Sequence, residues 1–286
     1  MPHSPPFPAP SRAVILPAST LRHEPRPRSE RHDTAERRRV TRRLRHALAA
    51  GDLQLHYQPL VALQSGQIRG AEALVRMRHH RLGLLSPQHF MPGVEQADII
   101  LELGSWLVEQ ACVQAVSWPE PARVTVTLAL RQLQHRKFIH QILERLGRTG
   151  IAPERLEFVL TEAMLADASA NVIFNLKALQ GLGISLALAN FSAGHAKFPA
   201  LRHMRLTTLR LDRSLTQGVD DGPASNAMIR DAIEAGHDLG GTTLAENVDT
   251  KRQFNKLLKW GCDEGQGHYF GPPLGAAQLV ARLGQT

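Results

Sequence analysis

The sequence predicts an α/β fold, a closed (β/α)₈ TIM-like barrel that opens on an antiparallel strand. Three observations carry that prediction. From Leu53 onward, strand-like runs alternate with helical stretches, the pattern of a mostly parallel sheet covered by helices. The strand runs number about eight, enough to close a barrel. The first two have no long helix between them, so a hairpin-like start is expected.

In chain order, residues 1–34 are rich in proline and arginine and hold little to bury, which predicts a disordered basic tail ahead of one domain over 35–286. A helix is expected over Thr34–Ala50, with Val40, Leu44, Ala47 and Leu48 as its apolar face and Gly51 as its stop. The strand candidates are Leu53–Gln58, Gln67–Val75, Val124–Ala129, Leu156–Thr161, Ile184–Ala189, Thr208–Leu211, Thr242–Glu246 and Gly265–Phe270. Between them the clearest helical stretches are Ile99–Val116, Lys137–Gly147, Asn171–Leu179, Ala224–Leu239 and Lys251–Trp260. No short-period repeat occurs, which excludes a solenoid.

Charge is concentrated at the front. The 286 residues carry a net +8, and residues 1–45 hold eleven arginines against four carboxylates, so +7 lies there and +1 in the rest. An arginine-rich helix face of this kind is usually a solvated surface, although it also suits DNA, RNA or anionic lipid. No helix-turn-helix spacing is found, which leaves a DNA-contacting repressor that uses the Arg-rich front end as a lesser alternative. Two cysteines, Cys112 and Cys262, exclude a disulfide framework and read as small core residues. Ala13–Leu16 is too short for a signal-peptide core, and no apolar run approaches a membrane span, so a cytoplasmic location is expected.

In a barrel the C-terminal strand ends converge on one mouth, where chemistry takes place. Those ends supply Gln58, Glu72, Thr127, Val159 with Glu162, Ala189 with Asn190, Asp212, Glu246 and Gln266. Recurring carboxylates are what a metal-assisted phosphodiester-cleaving site needs. Glu72 with Arg76 beyond it would hold a metal or a phosphate. Arg76 has a plainer alternative as an internal ion-pair partner for Glu72 or Glu246. Glu162 also suits a helix start, where the dipole favours a carboxylate. His79, His80, His135 and His140 lack the i, i+4 spacing of a helical zinc pair and read as surface or packing residues. Trp106, Trp118 and Trp260 read as packing residues.

Taken together the motifs resemble the EAL-domain family of cyclic di-GMP phosphodiesterases. Tyr57-Gln58-Pro59 is similar to the family's opening YQP, and Glu72-Ala73-Leu74-Val75-Arg76 to its EALLR signature. Gly83-Leu84-Leu85-Ser86-Pro87 with Phe90-Met91-Pro92 resembles its G-x-x-SP…FIP loop. Leu160-Thr161-Glu162, Leu211-Asp212-Arg213-Ser214, Ala245 to Thr250 and Gly265 to Phe270 follow in the family's order. The resemblance runs from about Leu53 to Leu274.

The departures from that family are specific. Its metal-binding Asn, Glu and Asp-Asp pair correspond here to Thr127, Val159 and Ala189-Asn190, and its lysine two residues before Asp212 to Arg210. Glu72, Glu162, Asp212, Glu246 and Gln266 match. Valine and alanine supply no oxygen, and asparagine bridges no cations, so the expectation is no magnesium, no hydrolysis and no catalytic residue. Arg210 keeps the lysine's charge but is a rigid fork. By resemblance Gln58, Glu72 and Arg76 match positions that contact cyclic di-GMP, so a non-hydrolysing receptor is one expectation. The other is a repressor of virulence-type genes that acts through a transcription factor or response regulator, since silent members of the family regulate expression in this way.

Overall fold

The structure, a computed structural model, describes residues 28–90, 97–166, 169–192 and 204–284. Residues 1–36 and 37–286 form two compact units. Of the first, only residues 28–36 are described, as the start of α1 (Arg28–Ala50). That helix begins within the stretch expected to be a disordered tail, and residues 1–27 lie outside the described residues.

Gly51, at φ 72°, supplies the left-handed residue that ends α1, and Asp52 N donates to Ala47 O at 2.9 Å. Two antiparallel strands follow, β1 (Leu53–Ala62) and β2 (Ile68–His79), in register from Leu53↔Met77 to Gln58↔Glu72. The antiparallel start is as expected. A three-residue β3 (Gly83–Leu85), absent from the expected elements, pairs with β2 and extends it as a hairpin. Leu44 and Ala47 of α1 pack with Leu53, Val75, Met77 and Phe90 in a small core of their own, so the apolar face read for this helix is the buried one.

The chain then alternates helix and strand. The order is α2 (Ile99–Ala115), β4 (Arg123–Thr127), α3 (Leu130–Leu133), α4 (Phe138–Thr149), β5 (Leu156–Leu160), α5 (Glu162–Ala166), α6 (Ala170–Gly181) and β6 (Ser185–Phe191). After residues 193–203 come β7 (Thr208–Leu211), α7 (Arg213–Gln217), α8 (Pro223–Asp238), β8 (Thr242–Ala245), α9 (Lys251–Lys259), β9 (Glu264–Gly265) and α10 (Ala276–Leu283). Parallel pairing runs β2-β4-β5-β6-β7-β8-β9, and β9 closes antiparallel onto β1 through Val61↔Gly265. The result is a closed eight-stranded barrel with β3 hanging outside it.

The last strand is shorter than expected. Pairing stops at Gly265, and Gln266–Phe270 turns back over the loop after β8, with Val248 N donating to Gln266 O at 3.0 Å. A Cβ on Gly267 would lie 2.2 Å from Val248 O, so only glycine lets the two backbones meet there.

Cys112 and Cys262 sit in the core, where burial pushes both thiols up to about 12. Trp118 packs edge-on against Tyr57 at 5.3 Å. Deep in the barrel lies a polar layer that the sequence reading missed. Arg123 pairs with Glu264 and donates from Nε to Glu157 at 3.4 Å, while Thr125 and Thr208 donate to the two oxygens of Glu157 at 2.8 and 2.5 Å. Both Glu157 oxygens are thereby satisfied, which makes a buried carboxylate tolerable.

Candidate functional site at the barrel mouth

The mouth is organised around Arg210. This side chain projects from β7 into the barrel and is 3% exposed. Its Nη2 donates to Glu72 Oε2 at 2.5 Å and to Gln266 Oε1 at 2.8 Å. Its Nε lies 2.6 Å from Glu246 Oε1, an ion pair without the alignment of a hydrogen bond. Gln266 Nε2 donates to the same Glu72 oxygen at 2.9 Å, and Thr127 Oγ1 to the other at 3.2 Å. One guanidinium thus lies against the two carboxylates that the barrel brings together from β2 and the end of β8.

These contacts divide the two glutamates. Burial pushes the Glu72 carboxyl up, but the charge of Arg210 and hydrogen bonds from Arg210, Gln266 and Thr127 outweigh it and hold Glu72 below the usual range. Glu246 goes the other way. Burial, with the negative charges of Glu72 and Asp212, raises it despite Arg210. Burial opposes the charged form of Arg210, yet Glu72 and Glu246 push its pKa upward, so it stays a cation. On acidification Glu246 is therefore expected to protonate first and Glu72 last. Glu72, with a lowered folded value, stabilises the fold at pH values above the unfolded pKa of about 4.3, and loses that contribution as pH falls through its folded value. Side-chain carboxyl NMR across pH 2–7 reads the order, which the opposite sequence of titration would contradict.

The structure corrects the expected pairing. The internal partner of Glu72 and Glu246 is Arg210, not Arg76. Arg76 lies four residues beyond Glu72 on the same strand face, half-buried, and makes no hydrogen bond or ion pair to another described residue. Burial lowers its pKa. Gln58 stands directly across from Glu72 in the β1–β2 register.

The other positions read from the sequence fall around this centre. Val159, at the top of β5, is fully buried. Ala189 and Asn190 lie where the β6–β7 register slips, and Asn190 takes φ 54°, a left-handed value that asparagine tolerates better than most residues. Asp212 caps α7, accepting from Ser214 N at 2.8 Å. Glu162 opens α5, in keeping with the helix-start reading. His79 and His80 stack at 4.7 Å in the hairpin turn, and His79 Nδ1 accepts from Arg81 N and Leu82 N. Among the described residues, no three His, Cys, Asp or Glu side chains converge as a metal ion would require.

Known proteins share this framework. The family description "EAL domain" matches residues 41–273. An uncharacterized protein of Sinorhizobium fredii is 35% identical over 88% of this chain and 30% of its own length. A cyclic di-GMP phosphodiesterase of Pseudomonas aeruginosa is 32% identical over 79% of this chain and 39% of its own length. The chain thus spans about a third of the length of these curated relatives. Among solved structures, the phosphodiesterase domain of Pseudomonas aeruginosa MucR in its c-di-GMP complex superposes with TM-score 0.79 at 27% identity, covering 85% of this chain and all of that one. The Xanthomonas citri FimX EAL domain in complex with c-diGMP gives 0.76 at 25% identity, covering 86% of this chain and 97% of that one.

Proposed function

The chain belongs to the EAL domain family, and on that premise we propose that it is a catalytically silent member that controls gene expression, as a repressor, by binding a regulatory protein. The observation that carries this is the placement of Arg210. A divalent magnesium ion takes about six oxygen donors, usually several of them anionic. At the corresponding positions Val159 and Ala189 offer none, Asn190 and Thr127 offer no charge, and Glu72 and Glu246 are both engaged by a guanidinium. These side chains are a poor match to a dication, and no hydrolytic step is assigned to them. What remains is a rigid barrel whose outer surfaces are free to bind a partner such as a transcription factor or response regulator.

The expected result is that the purified protein, given magnesium or manganese, leaves cyclic di-GMP intact. Metal-dependent linear product, read by chromatography and lost in Glu72→Gln, would sink the proposal. On the positive side, affinity capture from the native host should recover a regulator of transcription, and deletion of the gene should raise the same regulator's target transcripts.

A second reading has its own observation. Arg76 has no described partner and shares the mouth with Gln58, an arrangement suited to a phosphate and a hydrogen-bonding base. The solved relatives named above hold cyclic di-GMP. On this reading the barrel is a receptor that binds the dinucleotide without cleaving it. Calorimetry decides it: heat of binding that disappears in Arg76→Ala supports a receptor, and a flat titration excludes one.

A further inference from the structure

Away from the mouth, two elements turn cations toward each other. We propose that the arginine face of α1 and the outer edge of the β2–β3 hairpin form one site for the phosphate backbone of a nucleic-acid duplex. Arg39, Arg43 and His46 occupy i, i+4 and i+7 on α1, a stripe about 10 Å long by the helical rise. Arg42 stands beside it, and Arg78 with His79 forms the facing wall of an open groove. The arginines are exposed, and none of Arg39, Arg42, Arg43 or Arg78 makes an ion pair to another described residue. Among the described residues, Asp52 is the one carboxylate that lines the groove.

The chemistry favours phosphate on a duplex over its competitors. Every full charge on the two walls is a guanidinium, the fork that matches a phosphate's paired oxygens. Among the described residues no Phe, Tyr or Trp lines the groove, and its rings are the imidazoles of His46, His79 and His80, of which His79 and His80 stack on each other, so single strands find little large aromatic surface there. Membrane anchoring generally needs a second signal beyond basic charge. The apolar stripe of α1 is buried through Leu44 and Ala47, leaving only Leu82 and Leu84 exposed at the hairpin. Missing helix-turn-helix spacing argues against base reading, and it leaves backbone contact untouched. Sequence-independent, salt-sensitive binding follows. The site is independent of whether the mouth takes a nucleotide.

The test uses the full chain and a short fluorescent duplex of arbitrary sequence, titrated by anisotropy over a salt series, with phosphatidylserine vesicles as the parallel arm. Arg39→Glu with Arg43→Glu is expected to weaken duplex binding by at least about tenfold and to flatten the salt slope by about two units. Arg78→Glu is expected to weaken it by several-fold, and the exposed α8 variant Arg230→Glu to leave it unchanged. All four positions are exposed, and circular dichroism checks that the variants stay folded. The proposal is overturned by absent or salt-insensitive duplex binding, by full affinity in Arg78→Glu, or by preference for the vesicles.

Discussion

Replacing Arg210 with alanine is expected to lower the stability of the fold by about 3–5 kcal/mol, the range for removing one partner of a buried ion pair. The guanidinium is nearly inaccessible and serves Glu72, Glu246 and Gln266 together. Without it, Glu72 is left 8% exposed with only Gln266 and Thr127 as donors, and burial drives its carboxyl upward. Denaturant titration at neutral pH reads the loss. Combining Arg210→Met with Glu72→Gln and Glu246→Gln is expected to recover most of it, because the charges that needed compensation are then absent. An Arg210→Ala protein within about 0.5 kcal/mol of the parent would show that the cluster contributes little.

The second large effect is a gain. A variant carrying Thr127→Asn, Val159→Glu, Ala189→Asp, Asn190→Asp and Arg210→Lys is expected to bind manganese where the parent does not. The changes add three carboxylates and an amide oxygen around Glu72 and replace the guanidinium that reaches both Glu72 and Glu246 by a single ammonium. Val159 is fully buried, so a carboxylate there is costly until a cation compensates it. The metal-free variant is therefore expected to melt below the parent and to regain stability with manganese, by about 2.7 kcal/mol at a hundredfold excess over Kd. Thermal melts with and without manganese give the answer. A variant that does not respond, or a parent that responds equally, contradicts the account of these positions.

The fold was legible because strand and helix patterns alternate and most strands of the barrel carry short motifs in order; of the residues read at the strand ends, Glu72, Thr127, Glu246 and Gln266 meet around Arg210. What the sequence hid was who pairs with whom. Arg210 and Glu72 are 138 residues apart, and only closure of the barrel brings them together. From the chain alone Arg76, four residues from Glu72, was the nearer candidate. The polar layer under the mouth went unseen for a related reason. Arg123, Thr125 and Thr127 alternate with Val124 and Val126 along β4, and a strand covered by helices buries both faces. Inward polar residues then look like the solvent face of an ordinary strand. β3 is too short to give a period, and the extent of β9 depends on a backbone contact at Gly267 that composition does not reveal.

The most direct test of the central claim is a manganese titration of the unaltered protein, followed by electron paramagnetic resonance at neutral pH. With Arg210 holding Glu72 and Glu246, the manganese signal is expected to remain that of the free hexa-aquo ion throughout. A stoichiometric bound species that vanishes in Glu72→Gln would contradict it.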